Sequence, residues 1–178
     1  GLSFTMLAEK QGALQIIGID PVEARLEKAL SVGATNTVNP SKDDMYEAIE
    51  ELTGGQGIDI VVDATGDPEG FGQCIKIVKR WGMFVSFSLT GQGGKVSSFL
   101  HQEFMFKAAK IIPTQVAATS QPTKDIRETI ALKERGWIDP GVLKSHNLDF
   151  SEVQKAYDMY ARHEDGVIKV ALSVNGLD

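Results

Sequence analysis

The sequence has a single cysteine, Cys74, among its 178 residues, which excludes an intrachain disulfide framework and any four-cysteine zinc site. Its three histidines, His101, His146 and His163, are scattered without metal-ligand spacing. No apolar run approaches the length needed to span a bilayer, and no charged leader followed by a long apolar stretch opens the chain. Basic residues are outnumbered: 18 Lys and Arg against 24 Asp and Glu give a formal net charge of −6. No basic block stands anywhere, which argues against nucleic acid or an anionic membrane as a partner. A reducing, cytoplasmic setting is the expectation that remains. A hydrophobic content of 42% is enough to fill the core of one ordinary domain, with or without an appended tail.

What is present is an alternation of apolar strand-like runs with amphipathic helical stretches, the pattern of a parallel sheet covered by helices. The spacing predicts a helix from Ser3 to Lys10, a strand at Leu14–Ile19 stopped by Asp20-Pro21, and a helix from Val22 to Val32. A short edge strand at Thr37–Pro40 and an acidic helix from Asp43 to Leu52 follow. Ile58–Ala64 is nearly continuous in apolar residues, as expected of a strand buried on both faces. Phe71 to Lys79 reads as a helix and Met83–Leu89 as a strand. Gly91–Gly94 reads as a loop without the lysine of a phosphate-binding loop. Phe99 to Lys107 is helical, Ala109–Pro113 a strand and Ile126 to Arg135 a helix. A helix from Ser151 to Arg162, opened by a Ser151 capping box with Glu152 and Gln154, and a strand at Val167–Val174 complete the chain. The expected division is a dinucleotide-type domain over 1–145 and a helix–strand tail over 146–178.

Three strand ends carry candidate chemistry. Asp20 closes the first strand, where an acid can accept hydrogen bonds from both hydroxyls of a ribose and repel a 2′-phosphate. Arg25, in the first turns of the next helix, lies close enough in sequence to share that ribose. The alternative is that Asp20 caps the following helix, a common use of Asp. Thr65 and Gly66 close the second strand, where small residues let a flat ring approach the backbone, or simply make a turn. Phe87, Ser88 and Leu89 lead out of the third. In open α/β sheets ligands bind beyond the carboxyl ends of the strands. Cys74 shares a helix with Ile75 and Ile77 and is expected in the core.

Read together, Gly18-Ile19-Asp20 with Arg25, the run from Ala29 to Asn39 (ALSVGATNTVN), Leu52 to Gly66 (LTGGQGIDIVVDATG) and Gly166 to Leu172 (GVIKVAL) resemble the coenzyme-binding domain of the zinc-dependent, medium-chain alcohol dehydrogenases, of the sorbitol- or threonine-dehydrogenase-like kind. The resemblance implies a Rossmann-type doubly wound parallel sheet. It also implies an oxidoreductase moving hydride between a small alcohol or polyol and NAD. By position it assigns Asp20 and Arg25 to the adenosine ribose, Thr65 and Gly66 to the adenine pocket, and Phe87, Ser88 and Leu89 to the nicotinamide through backbone groups. Lys169 falls to the pyrophosphate, and Gly1 to the packing of the first helix against it. Gly1-Leu2-Ser3-Phe4 matches the third glycine of the family's fingerprint. The strand and first two glycines before it are not in this sequence, so two strand edges are left in want of a partner. Ser88 stands where glycine is commoner. No catalytic or metal-binding residue is assigned to this chain; the zinc is expected in the parent protein, whose assembly is expected to be a homodimer or tetramer. Two other readings stand beside this one. One is a non-catalytic nucleotide-binding or assembly module that associates through Ala109–Pro113 with Phe104, Phe106 and Val116. The other is a methyltransferase-like doubly wound domain, disfavoured by the Gly166–Leu172 tail.

Overall fold

The computed structural model describes residues 1–90, 94–114 and 121–174. Most of the glycine-rich loop, and Val116, therefore lie outside the described residues. The chain divides into two compact units, one of residues 43–125 with Gly1, the other of residues 2–42 and 126–178.

The second unit opens with helix α1 (Leu2–Lys10) and strand β1 (Ile17–Ile19). The strand is shorter than expected because Leu14 stands almost fully exposed, while Ile16 is held by Thr35, whose hydroxyl accepts from the Ile16 N–H at 2.9 Å. Helix α2 (Glu23–Ser31) buries Leu26 and Ala29, the two apolar residues that helical spacing places on one face. Strand β2 (Asn36–Val38) lies parallel to β1, with Ile19 opposite Val38.

The first unit begins with α3 (Met45–Thr53). Its cap is Asp44, whose side chain accepts from the Tyr46 and Glu47 N–H groups, meeting two of the donors a helix leaves open at its start. Strands β3 (Ile58–Asp63), β4 (Val78–Ser86) and β5 (Lys110–Pro113) form a parallel sheet in that order. Between them run α4 (Gly70–Ile77) and α5 (His101–Lys107). The core packs around Phe84, Ile75 and Val78, with Phe71 edge-on to Phe84 at 4.9 Å.

Two expectations fail here. Strand β3 is not buried on both faces: Ile60 is 58% exposed, because β3 is an edge strand whose ladder partner among the described residues is β4 alone. Helix α4 stops at Ile77 rather than Lys79. Val78 is already in the sheet opposite Ile58, and Lys107 donates through Nζ to the Ile75 and Lys76 carbonyls at the helix end. The third strand thus starts at Val78 and ends at Ser86, leaving Phe87 to Leu89 beyond it.

Helix α6 (Pro122–Glu134) leads to the tail, in which strand β6 (His146–Asp149), α7 (Val153–Arg162) and β7 (Val170–Ser173) form a parallel strand–helix–strand unit. The Ser151 capping box is not formed. Asp149 does the capping instead, its Oδ1 accepting from both the N–H and the hydroxyl of Ser151, across a 3₁₀ turn at Phe150–Glu152. The Ser151 bonds hold the Asp149 carboxyl below its ordinary value. Every strand pair is parallel, as the α/β, Rossmann-type expectation requires. Each of β1 and β3 keeps one edge with no ladder partner among the described residues.

Candidate functional site

Asp20 follows the last residue of β1, and its N–H still reaches the Val38 carbonyl of β2. Across Pro21 its Oδ1 accepts from the Val22 N–H at 2.9 Å, a local turn that the short Asp side chain forms readily. The other oxygen, Oδ2, lies 3.6 Å from Nη1 of Arg25, and the two side chains are 29% and 23% exposed. One carboxylate oxygen therefore secures the entry to α2 while the other is turned to a cation at a partly open surface. Nearby, Glu23 is bound by Lys42 at 2.6 Å and by the buried Asn39 amide at 3.1 Å. The Lys42 bond first and the Asn39 bond second hold its carboxyl below the usual range. Asn39, the last residue of the ALSVGATNTVN run, thus ties the end of β2 to α2.

The end of β3 is built differently. Asp63 is 3% exposed, and its Oδ1 accepts from the Thr65 N–H at 3.0 Å and the Thr65 hydroxyl at 2.7 Å. Thr65 Oγ1 accepts in turn from the Asp67 N–H. The Asp63 carbonyl accepts from the N–H groups of Phe87 at 3.1 Å and Ser88 at 3.0 Å. Asp63 therefore binds together three of the five candidate residues that leave β3 and β4: Thr65, Phe87 and Ser88. The sequence reading passed over it, although an Asp two residues before a Thr is a turn signal. Gly66 has φ +77, and a β-carbon there would sit 3.4 Å from the Leu89 carbonyl oxygen; the turn needs a residue free to enter the left-handed region. Among the described residues, Ser88 Oγ is the buried side-chain polar atom left without a hydrogen-bond partner.

Lys169 precedes β7, where its carbonyl accepts from the Ser145 and His146 N–H groups. Gly1 is exposed ahead of α1. Cys74 is buried as expected, and burial, with the nearby Asp63 charge second, pushes its thiol up to about 12. Of the histidines, His101 lies beside Phe99, His146 bonds to the Ser145 hydroxyl, and His163 bonds to Arg25. Among the described residues no three His, Cys, Asp or Glu side chains come together as a metal donor set, and no helix is long and apolar enough to cross a membrane.

A family model described as zinc-binding dehydrogenase matches residues 1–134. An alcohol dehydrogenase of Cupriavidus necator is 32% identical over 174 residues, covering 97% of this chain and 46% of its own length. An L-threonine 3-dehydrogenase of Bacillus velezensis is 30% identical over 168 residues, covering 94% of this chain and 47% of its own. Among solved structures, the benzyl alcohol dehydrogenase from Acinetobacter calcoaceticus superimposes with a TM-score of 0.86 at 27% identity, over 98% of this chain and 46% of that one. The chain thus spans about half the length of the relatives it matches. With a match across most of its residues and parallel strands throughout, the chain belongs to the zinc-binding dehydrogenase family.

Proposed function

We propose that this chain binds NAD and forms the coenzyme-holding part of an oxidoreductase that transfers hydride between a small alcohol or polyol and NAD. The observation that carries the reading is the Asp20 carboxylate at the carboxyl end of β1, partly exposed and beside Arg25. Its charge accepts hydrogen bonds from the two hydroxyls of an adenosine ribose and repels a phosphate on the 2′ oxygen. The unpartnered hydroxyl of Ser88 fits a polar ligand beyond β4, because a buried hydroxyl without a partner costs free energy that a bound group can recover.

In this proposal Thr65 and Gly66 form a wall for the adenine or its ribose, held in place by Asp63. Phe87, Ser88 and Leu89 meet the nicotinamide, with Ser88 offering its hydroxyl because its N–H is already given to Asp63. Lys169 neutralises pyrophosphate charge, and Gly1 lets α1 approach it. NAD supplies the hydride-accepting ring; these residues bind and orient it. In this reading zinc belongs to the substrate-activating part of the parent protein, where it would polarise the substrate oxygen. Residues 1–145 are the coenzyme-binding part and 146–178 a tail returning toward the substrate-activating part, in a cytoplasmic enzyme.

Calorimetric titration tests the reading. NAD is expected to bind more tightly than NADP, and S-adenosylmethionine not at all; failure of NAD to bind, or tighter binding of S-adenosylmethionine, sinks it. A second reading, assembly into a homodimer or tetramer, is favoured by β5. This strand lies at the end of its sheet, with Ile112 and, on α5, Met105 and Phe106 exposed. Light scattering decides it, and a strict monomer counts against it.

A further inference from the structure

Arg25 has two neighbours, and the second comes from far along the sequence. Its Nη2 lies 2.9 Å from Nδ1 of His163, while Nη1 faces Asp20 Oδ2 at 3.6 Å. A guanidinium carries donors only. Nδ1 of His163 must therefore accept, which fixes the ring as neutral with its proton on Nε2.

The ring is delivered to this place by packed backbone. His163 ends α7 in the left-handed conformation, φ 55, with its N–H bonded to the Met159 and Tyr160 carbonyls. The turn that follows closes on the start of α2: a β-carbon at Gly166, φ +63, would stand 3.3 Å from Ala24 Cβ. Val167 beside it is 1% exposed.

We infer that His163 is a positioning residue for dinucleotide choice: by accepting from Arg25 it holds the guanidinium beside Asp20 and keeps it from turning toward a 2′-phosphate. This rests on the reading of Asp20 as the ribose acid. Loss of that acceptor leaves the guanidinium free to turn. A released Arg25 can then meet a phosphate with two parallel N–H donors. The charged groups at this corner are Asp20 and Arg25 from other elements. On its own segment they are Arg162, which faces Glu164 at 3.7 Å, and Asp165, which acts on Lys155. Glu23 of α2 is engaged by Lys42 and Asn39.

The test compares wild type, His163→Asn and His163→Ala in the full chain. Asn keeps an acceptor near the Nδ1 position and tolerates the left-handed backbone. Dissociation constants for NAD and NADP are measured for each. His163→Ala should lower the ratio of the NADP constant to the NAD constant by about three- to tenfold, the size of one net hydrogen bond. His163→Asn should hold the wild-type ratio. If all three bind NAD with one unchanging ratio, the inference is overturned and the ribose reading of Asp20 stands; if wild type binds neither dinucleotide, both fall. Ring nitrogen shifts of wild-type His163 by NMR, with no dinucleotide present, should place the proton on Nε2. A proton on Nδ1 overturns the inference whatever the titrations give.

Discussion

Asp20 and Asp63 make the same local bond and do opposite jobs. Each ends a strand and each accepts, through Oδ1, from the N–H two residues on. Asp63 accepts a second bond at that same oxygen, from the Thr65 hydroxyl, and is almost wholly buried. Asp20 keeps an oxygen facing Arg25 at a partly open surface. An acid at a strand end is therefore not in itself a ligand group. What separates the two is burial: one carboxylate is closed off by the fold and the other still meets the surface.

Substitutions can break or sharpen that contrast. The largest effect is expected from Asp63→Ala, which strands the Thr65 N–H and hydroxyl and should cost about 2–4 kcal/mol of stability, read as a lowered thermal midpoint. Asp20→Ala should cost only about 1 kcal/mol, a lost turn bond, yet weaken NAD binding by about tenfold or more, since a hydrogen bond to a charged group is lost. Equal stability losses at the two positions would erase the distinction. Ser88→Ala should stabilise the unliganded chain by up to about 1 kcal/mol by removing a partnerless hydroxyl, while weakening NAD binding about threefold. The last effect is absent at neutral pH and concerns Cys74. Its thiol is raised from 9.0 to about 12 in the fold, so its contribution to stability is complete below pH 9.0 and is lost as pH rises toward 12. Cys74→Ala should flatten that alkaline limb, and alkylation of the native thiol at neutral pH should be far slower than in denaturant.

The alternation of strands and helices was legible because burial imposes the periods of 2 and 3.6 along the chain. The ends of elements were less so. Val78 and Lys79 extend the pattern of α4 but are taken by the sheet, a tertiary pairing with no local signature. Ile60 looks like a core residue from its neighbours and is exposed because β3 is an edge. At the site, Asp20 and Arg25 were found by position, and the structure brings them together. Asp63 was missed because it sits inside an apolar run, and His163 because its partner lies 138 residues away. Sequence proximity carries no trace of such a pair.

No strand in the described chain is joined to its neighbour as a hairpin; each ladder is parallel and is closed by a crossover through a helix. No ladder can zip outward from a tight turn, so each waits for its crossover to fold back before the first rung forms. Refolding should accordingly be slow compared with a helical bundle of this length. During that delay the edges of β1 and β3 that have no ladder partner among the described residues present open rows of peptide groups, a template for aggregation during refolding.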